Sequence, residues 1–146
     1  MVTYREMLKE DVQALARLEE DNFPHPWSEQ SLLKEVDREE SLFVVAEADG
    51  TVAGYAGMYL IGDEGDITNV VVDSACRNRG IGHGLMKDLL DKAENKGKKA
   101  VTLEGRVSNA GAIRLYEAHG FVSQGIRPGF YDSPREDAMI MWYYLP

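Results

Sequence analysis

Between residues 70 and 90 the chain passes from Val70-Val71-Val72-Asp73 through Arg77-Asn78-Arg79-Gly80-Ile81-Gly82 to an apolar-spaced stretch carrying Leu85, Met86, Leu89 and Leu90. This succession predicts a β-strand, a glycine loop and the first turns of a helix. Glycine removes side chains where a ligand must approach the backbone. The first amides of a helix have no intrahelical acceptor, so they point at whatever anion sits there. The segment is therefore expected to be a socket for a pyrophosphate.

Two commoner nucleotide motifs do not fit it. A P-loop needs a glycine, four variable residues, then Gly-Lys and Ser or Thr, and no such run occurs. A dinucleotide fingerprint needs Gly-x-Gly-x-x-Gly near the start of the chain, with an acidic residue about 20 positions on. Here Gly80, Gly82 and Gly84 fall mid-chain at a different spacing.

Around this segment the pattern predicts a strand over Val2 to Met7 and a helix over Asp11 to Glu20, stopped before Pro24. The stiff turn Phe23-Pro24-His25-Pro26-Trp27 leads to a second helix, capped by Ser28. Leu42 to Ala48 and Val52 to Ile61 form a hairpin across Asp49-Gly50. Gly62 to Gly65 reads as a loop, Asp66 to Asp73 as a strand, and Gly80 to Lys96 as a long helix ended by Gly97. Lys99 to Gly105 returns as a strand, and Asn109 caps a helix running to His119, with Gly120 ending it. Phe121 to Ile126 and Ala138 to Tyr144 close the chain as strands. One mixed sheet flanked by helices follows, an α/β or α+β architecture.

The 146 residues, 44% of them hydrophobic, suffice for one core, so residues 1–146 are expected to be a single domain. No uncharged apolar run of about 18 residues occurs, and the N-terminus lacks a secretory core, so a cytoplasmic protein is expected, with neither membrane span nor export. The lone Cys76 and the scattered His25, His83 and His119 predict neither disulfide nor metal site. A net charge of -9 argues against binding a nucleic-acid backbone and suits a basic partner, although acidity also serves solubility alone.

Arg77-x-x-Gly80-x-Gly82 after the valine strand resembles the acetyl-CoA motif of the GNAT superfamily of N-acetyltransferases: Arg or Gln, two residues, Gly, one residue, Gly or Ala. Asn109-Ala110-Gly111-Ala112-Ile113-Arg114-Leu115-Tyr116, continuing to Gly120-Phe121, is similar to that superfamily's Asn-x-x-Ala-x-x-Leu-Tyr-x-x-x-Gly-Phe signature. Within it, Phe23-Pro24-x-Pro26-Trp27-Ser28, Leu103-Glu104-x-Arg106-x-Ser108-Asn109 and Arg135 to Met141 look like the RimI type, which acetylates the N-terminal alanine of a small-subunit ribosomal protein. Two features depart from the pattern. The segment Arg127 to Arg135, which borders the acceptor channel in such enzymes, is shorter, and Gly105 stands where a β-branched residue is usual.

The resemblance implies a GNAT fold, with a mixed, mostly antiparallel, twisted central sheet flanked by helices. It implies acetyl-CoA as cosubstrate, no metal, and the N-terminus of a basic ribosomal protein as acceptor. The amides of Asn78, Arg79, Gly80, Ile81, Gly82 and His83 would hold the pyrophosphate, and main-chain groups of Val70, Val71 and Val72 would pair with the pantetheine arm as an added strand. An amide near Val72 would serve the developing oxyanion, and Asn109 would cap its helix and touch the cofactor.

Glu104 lies where the family's base falls, near the end of an apolar strand where partial desolvation would raise a carboxylate's pKa. Tyr116 is the candidate acid, a phenol able to return a proton to the departing thiolate. The plainer readings are a solvated strand-end carboxylate for Glu104 and a core ring for Tyr116. His83 and His119 read as helix-surface and helix-end residues, and Asp63, Glu64 and Asp66 as a solvated loop. Trp27, Phe130 and Tyr131 read equally as acceptor groove or as packing. An acetyltransferase of small-molecule amines and a noncatalytic acyl-CoA-binding module remain as alternatives.

Overall fold

The computed structural model describes residues 1–146. The strands are β1 (Val2–Glu6), β2 (Ser41–Ala48), β3 (Thr51–Ile61), β4 (Glu64–Val72), β5 (Ala100–Arg106), β6 (Val122–Tyr131) and β7 (Glu136–Tyr144). The helices are α1 (Val12–Asn22), α2 (Glu29–Val36), α3 (Ile81–Asn95) and α4 (Ala110–Ala118). One sheet holds all seven strands in the order β1-β2-β3-β4-β5-β7-β6, antiparallel except between β4 and β5. No helix is long and apolar enough to cross a membrane.

Local chemistry sets most boundaries. Phe23 turns extended ahead of Pro24 and ends α1. Ser28 Oγ accepts from the Ser31 amide at 3.1 Å to open α2, and Asn109 Oδ1 accepts from the Ala112 amide at 3.2 Å to open α4. Asp49 and Gly50, with φ of 53° and 82°, form the two-residue turn whose twist matches the β2–β3 hairpin.

Two expected loops are strand instead. Only Gly62 and Asp63 separate β3 from β4, and Glu64 already pairs with Ile61. Gly65 belongs in the strand because a Cβ there would stand 2.5 Å from Met58 Sδ, so its missing side chain makes room for the methionine. Asp66 consequently sits within the sheet, not in a solvated loop. Likewise β6 continues past Ile126 to Tyr131. Its register against β7 shifts between Ser123 and Gly125 and between Arg127 and Tyr131, and as the edge strand it can carry Pro128 without losing an interior bond.

Helices cover both faces. Leu15, Leu18 and Leu32 from α1 and α2 pack with Val45, Tyr55 and Val71, while Leu85, Met86 and Leu89 of α3 pack with Val44, Met58, Val101 and Leu103. A bulge at Thr68 decides which β4 residues face which helix. Gly57 pairs with Asn69 and Met58 with Ile67, leaving Thr68 unpaired between them. Ile67 therefore joins the α3 side, whereas Asn69 and Val71, only two and four residues on, face α1.

Gly84 marks the crossing of α3 over β1, where a Cβ would stand 1.9 Å from Tyr4 Oη. Gly84→Val is expected to cost about 1–3 kcal/mol by overpacking, read as a lower denaturation midpoint. An unchanged midpoint would show that Tyr4 swings aside freely.

Candidate active site

Strands β4 and β5 pair only over Glu64 to Ile67 and Ala100 to Leu103. Beyond that point β4 stays bonded to β3 as far as Val72, and β5 to β7 as far as Arg106. The two strands part, and the edge of β4 from Thr68 to Val72 that faced β5 is left without a strand partner. A cleft of about 610 Å³ opens at this fork. Its walls are Thr68 to Val70, Glu104 to Arg106, Asn109 and Tyr116, closed on the outer side by the turn through Phe23, Pro24 and Trp27 and by Phe130 to Pro134. His25 Nε2 and Asp132 Oδ1, 3.2 Å apart, bridge these two outer walls.

Glu104 and Tyr116, chosen from sequence as a catalytic pair, thus face one cavity from β5 and α4, and Trp27, Phe130 and Tyr131 line it with them. The Tyr116 phenol is pushed up to about 12, first by burial and then by the nearby Tyr131. Tyr131 Oη donates to the Glu104 carbonyl at 3.0 Å. Asp66 lies near the carboxylate of Glu104; burial, and then that charge, raises its own carboxyl, against the pull of Arg127. Gly105 leaves only ordinary contact with the Tyr116 ring, 3.8 Å from where a Cβ would be, so no neighbouring protein atom requires a glycine there.

The glycine loop lies at the start of α3, just past the end of the free β4 edge. Asn78 and Gly80 take left-handed φ of 64° and 75°, and α3 begins at Ile81. Gly84 is the first residue of α3 whose amide returns to the preceding turn, bonding Gly80 O at 3.0 Å, which leaves the amides of Ile81, Gly82 and His83 without helical acceptors. The side chain of Ile81 is buried in the core. The Gly82 side of the helix meets α4: a Cβ would stand 3.3 Å from Leu115 Cδ2, so this glycine serves helix packing as well as the loop. His83 is exposed on α3 and His119 caps the end of α4, as expected, and a 3.1 Å bond between His83 Nδ1 and His119 Nε2 ties the two helices together.

Three contributors escaped the sequence reading, and a fourth, Arg106, entered it only as a letter of the Leu103 to Asn109 motif. Arg106 stacks on the Tyr131 ring at 4.4 Å and donates to the carbonyls of Asp132 and Pro134 and to Glu136, pinning the outer wall. Glu19 and Asn69 lie buried in the inner wall. Asn22 Oδ1 accepts from Arg77 at 2.8 Å and joins the end of α1 to the glycine loop. Only Glu19 carried a visible signal, as a charge inside the apolar stripe of α1, four residues after Leu15.

An open strand edge and a run of free helix amides stand where the resemblance to an acetyl-CoA motif leads one to expect them. Residues 12–121 match the model of the acetyltransferase (GNAT) family. This protein belongs to the GNAT family. It is an acetyltransferase by that membership, and individual relatives narrow the likeness. The chain is 34% identical over 133 residues to the ribosomal protein bS18-alanine N-acetyltransferase of Escherichia coli K12, covering 90% of this chain and 89% of that one. It is equally 34% identical over 146 residues to the N-alpha-acetyltransferase RimI of Mycobacterium tuberculosis, covering 96% and 90%. The crystal structure of the E. coli ribosomal-protein-S18-alanine enzyme superposes with a TM-score of 0.90 at 33% identity, over 99% of this chain and 94% of that one. Ard1 from Thermoplasma volcanium superposes at 0.89 with 27% identity, over 99% and 98%.

Proposed function

We propose that this protein moves the acetyl group of acetyl-CoA to the α-amino group of an N-terminal alanine on a small-subunit ribosomal protein in the cytoplasm, with Glu104 as base and Tyr116 as acid. The observation that carries the reading is the continuity of the site: free α3 amides, then the open edge of β4, then Glu104 and Tyr116 facing one cleft. The acceptor class rests on the names of the E. coli and M. tuberculosis relatives.

Acetyl-CoA supplies an acyl group already activated as a thioester. The amides of Asn78 to His83 hold its pyrophosphate, helped by the positive end of α3. The edge of β4 at Val70, Val71 and Val72 that has no β5 partner offers strand-like bonds to the pantetheine arm, and Asn109 borders the same channel. Phe23, Trp27 and Tyr131 keep water from the reacting atoms.

The acceptor amine needs little help. A model α-amine titrates near about 8, so roughly one in ten is neutral at pH 7, against fewer than about one in a thousand for lysine at about 10.4. Glu104 takes one proton from the bound ammonium to free the lone pair, and the second leaves nitrogen for solvent as the C–N bond forms. When the C–S bond breaks, Tyr116 Oη gives its proton to sulfur, and the proton from Glu104 passes to solvent, which restores the phenol. With Tyr116 held near 12, its proton stays on Oη until negative charge has built up on the sulfur.

Mass spectrometry after incubation with acetyl-CoA tests the reading. A basic, alanine-starting peptide from the small ribosomal subunit is expected to gain one acetyl group on its α-nitrogen. Turnover of spermidine or an aminoglycoside without turnover of any peptide would replace this reading with a small-amine acetyltransferase. Binding of acetyl-CoA without transfer to any amine would leave an acyl-CoA-binding module.

A further inference from the structure

Three carboxylates are buried in this protein: Asp11, Glu19 and Glu35. Two have an arginine. Arg5 meets Asp11 at 2.7 Å, and Arg38 meets Glu35 at 3.2 Å. Glu19 is the most buried of the three, at 1% exposure, and makes no salt bridge. Its oxygens accept only from neutral donors: Oε1 from the Trp27 amide at 3.0 Å, Oε2 from Tyr55 Oη at 2.6 Å and from Asn69 Nδ2 at 3.1 Å.

All three partners reach the carboxylate as donors, and none of them carries a charge. A buried anion without a counter-ion is costly, and its field is poorly screened. Asn69 Nδ2 is committed to a carboxylate that can only accept, so Oδ1 is turned away, and it is the one buried side-chain polar atom without a partner. Glu19 and Asn69 both belong to the cleft wall, beside the aromatic turn.

We propose that Glu19 is the specificity-determining charge of the acceptor end of the cleft, and that the cation it lacks is the ammonium form of the acceptor amine. The carboxylate acts through the wall by its field, drawing the charged amine in before Glu104 takes the proton. The donor-binding loop is outside its task. Through Trp27 and Asn69 the same group holds the aromatic turn against the bulged segment of β4, so charge and cleft shape are set together.

This inference rests on the acceptor being an amine, and its test does not depend on which amine. Binding is measured for a basic alanine-starting peptide and for the same peptide with propionyl in place of alanyl, which removes only the α-amine. The wild-type protein is expected to prefer the amine about tenfold or more, and Glu19→Gln to cut that preference about fivefold. The KM for acetyl-CoA should stay unchanged. Asn22→Lys, three residues along α1, places a substitute ammonium on the same helix face and should cut the preference likewise, whereas Asn22→Ala, which loses the same bond to Arg77 without adding charge, should keep it; the pair keeps the test open if Glu19→Gln does not fold. A preference unchanged in Glu19→Gln and Asn22→Lys overturns the proposal. If no peptide is acetylated, the peptide reading fails, and the same comparison is made with spermidine against an alcohol analogue.

Discussion

Glu104→Gln is expected to lower kcat/KM for an alanine-starting peptide by about 100-fold at pH 7, the usual scale for losing a general base. The loss should shrink as the pH rises past about 8, because the free amine then supplies more of the reactive form without help. The amide keeps the shape of the side chain, and the Glu104 carbonyl that Tyr131 holds belongs to the main chain, so the wall should stand. The check is the ratio of wild-type to variant kcat/KM at pH 7 and pH 9. A ratio equal at both would show that Glu104 orients the amine and does not remove its proton.

Tyr116→Phe should lower kcat by about 30- to 100-fold with little change in the KM for acetyl-CoA. The pH dependence separates an acid from a packing ring. An acid works only while protonated, so its contribution is lost as the pH rises through its pKa. Burial and Tyr131 push Tyr116 up to about 12, so the wild-type rate should show no alkaline fall up to pH 10, where an ordinary phenol would already be half ionised. A fall centred near pH 10 that disappears in Tyr116→Phe would place the phenol in a wetter site than this cleft provides. If Tyr116→Phe lowered stability but left kcat intact, the ring would serve packing against Phe121, 6.2 Å away between centroids, and no more.

The glycine loop and the free amides that follow it were legible in the sequence because they are built from contiguous main chain. Left-handed φ at Asn78 and Gly80, and free amides at the head of α3, follow from local chemistry that twenty residues carry by themselves. Asn109 and Ser28 were legible as caps for the same reason. The strands that were misread, Glu64-Gly65 and Arg127 to Tyr131, are rich in glycine, proline and charge, and only distant partners make them strands. Met58 fills the space over Gly65, and β7 accepts β6 through its shifts of register.

The sequence by itself determined the order of elements, the family and the glycine loop at the head of α3, all matters of periodicity and motif within short spans. Only the tertiary structure decided where β4 and β5 part, and that Asn69 turns to α1 while Ile67 turns to α3. It also decided that Glu19 would be the buried acid without an arginine. Each of these depends on strand register and on side chains dozens of residues apart, such as Glu19 and Asn69, which meet only when the sheet closes under α1.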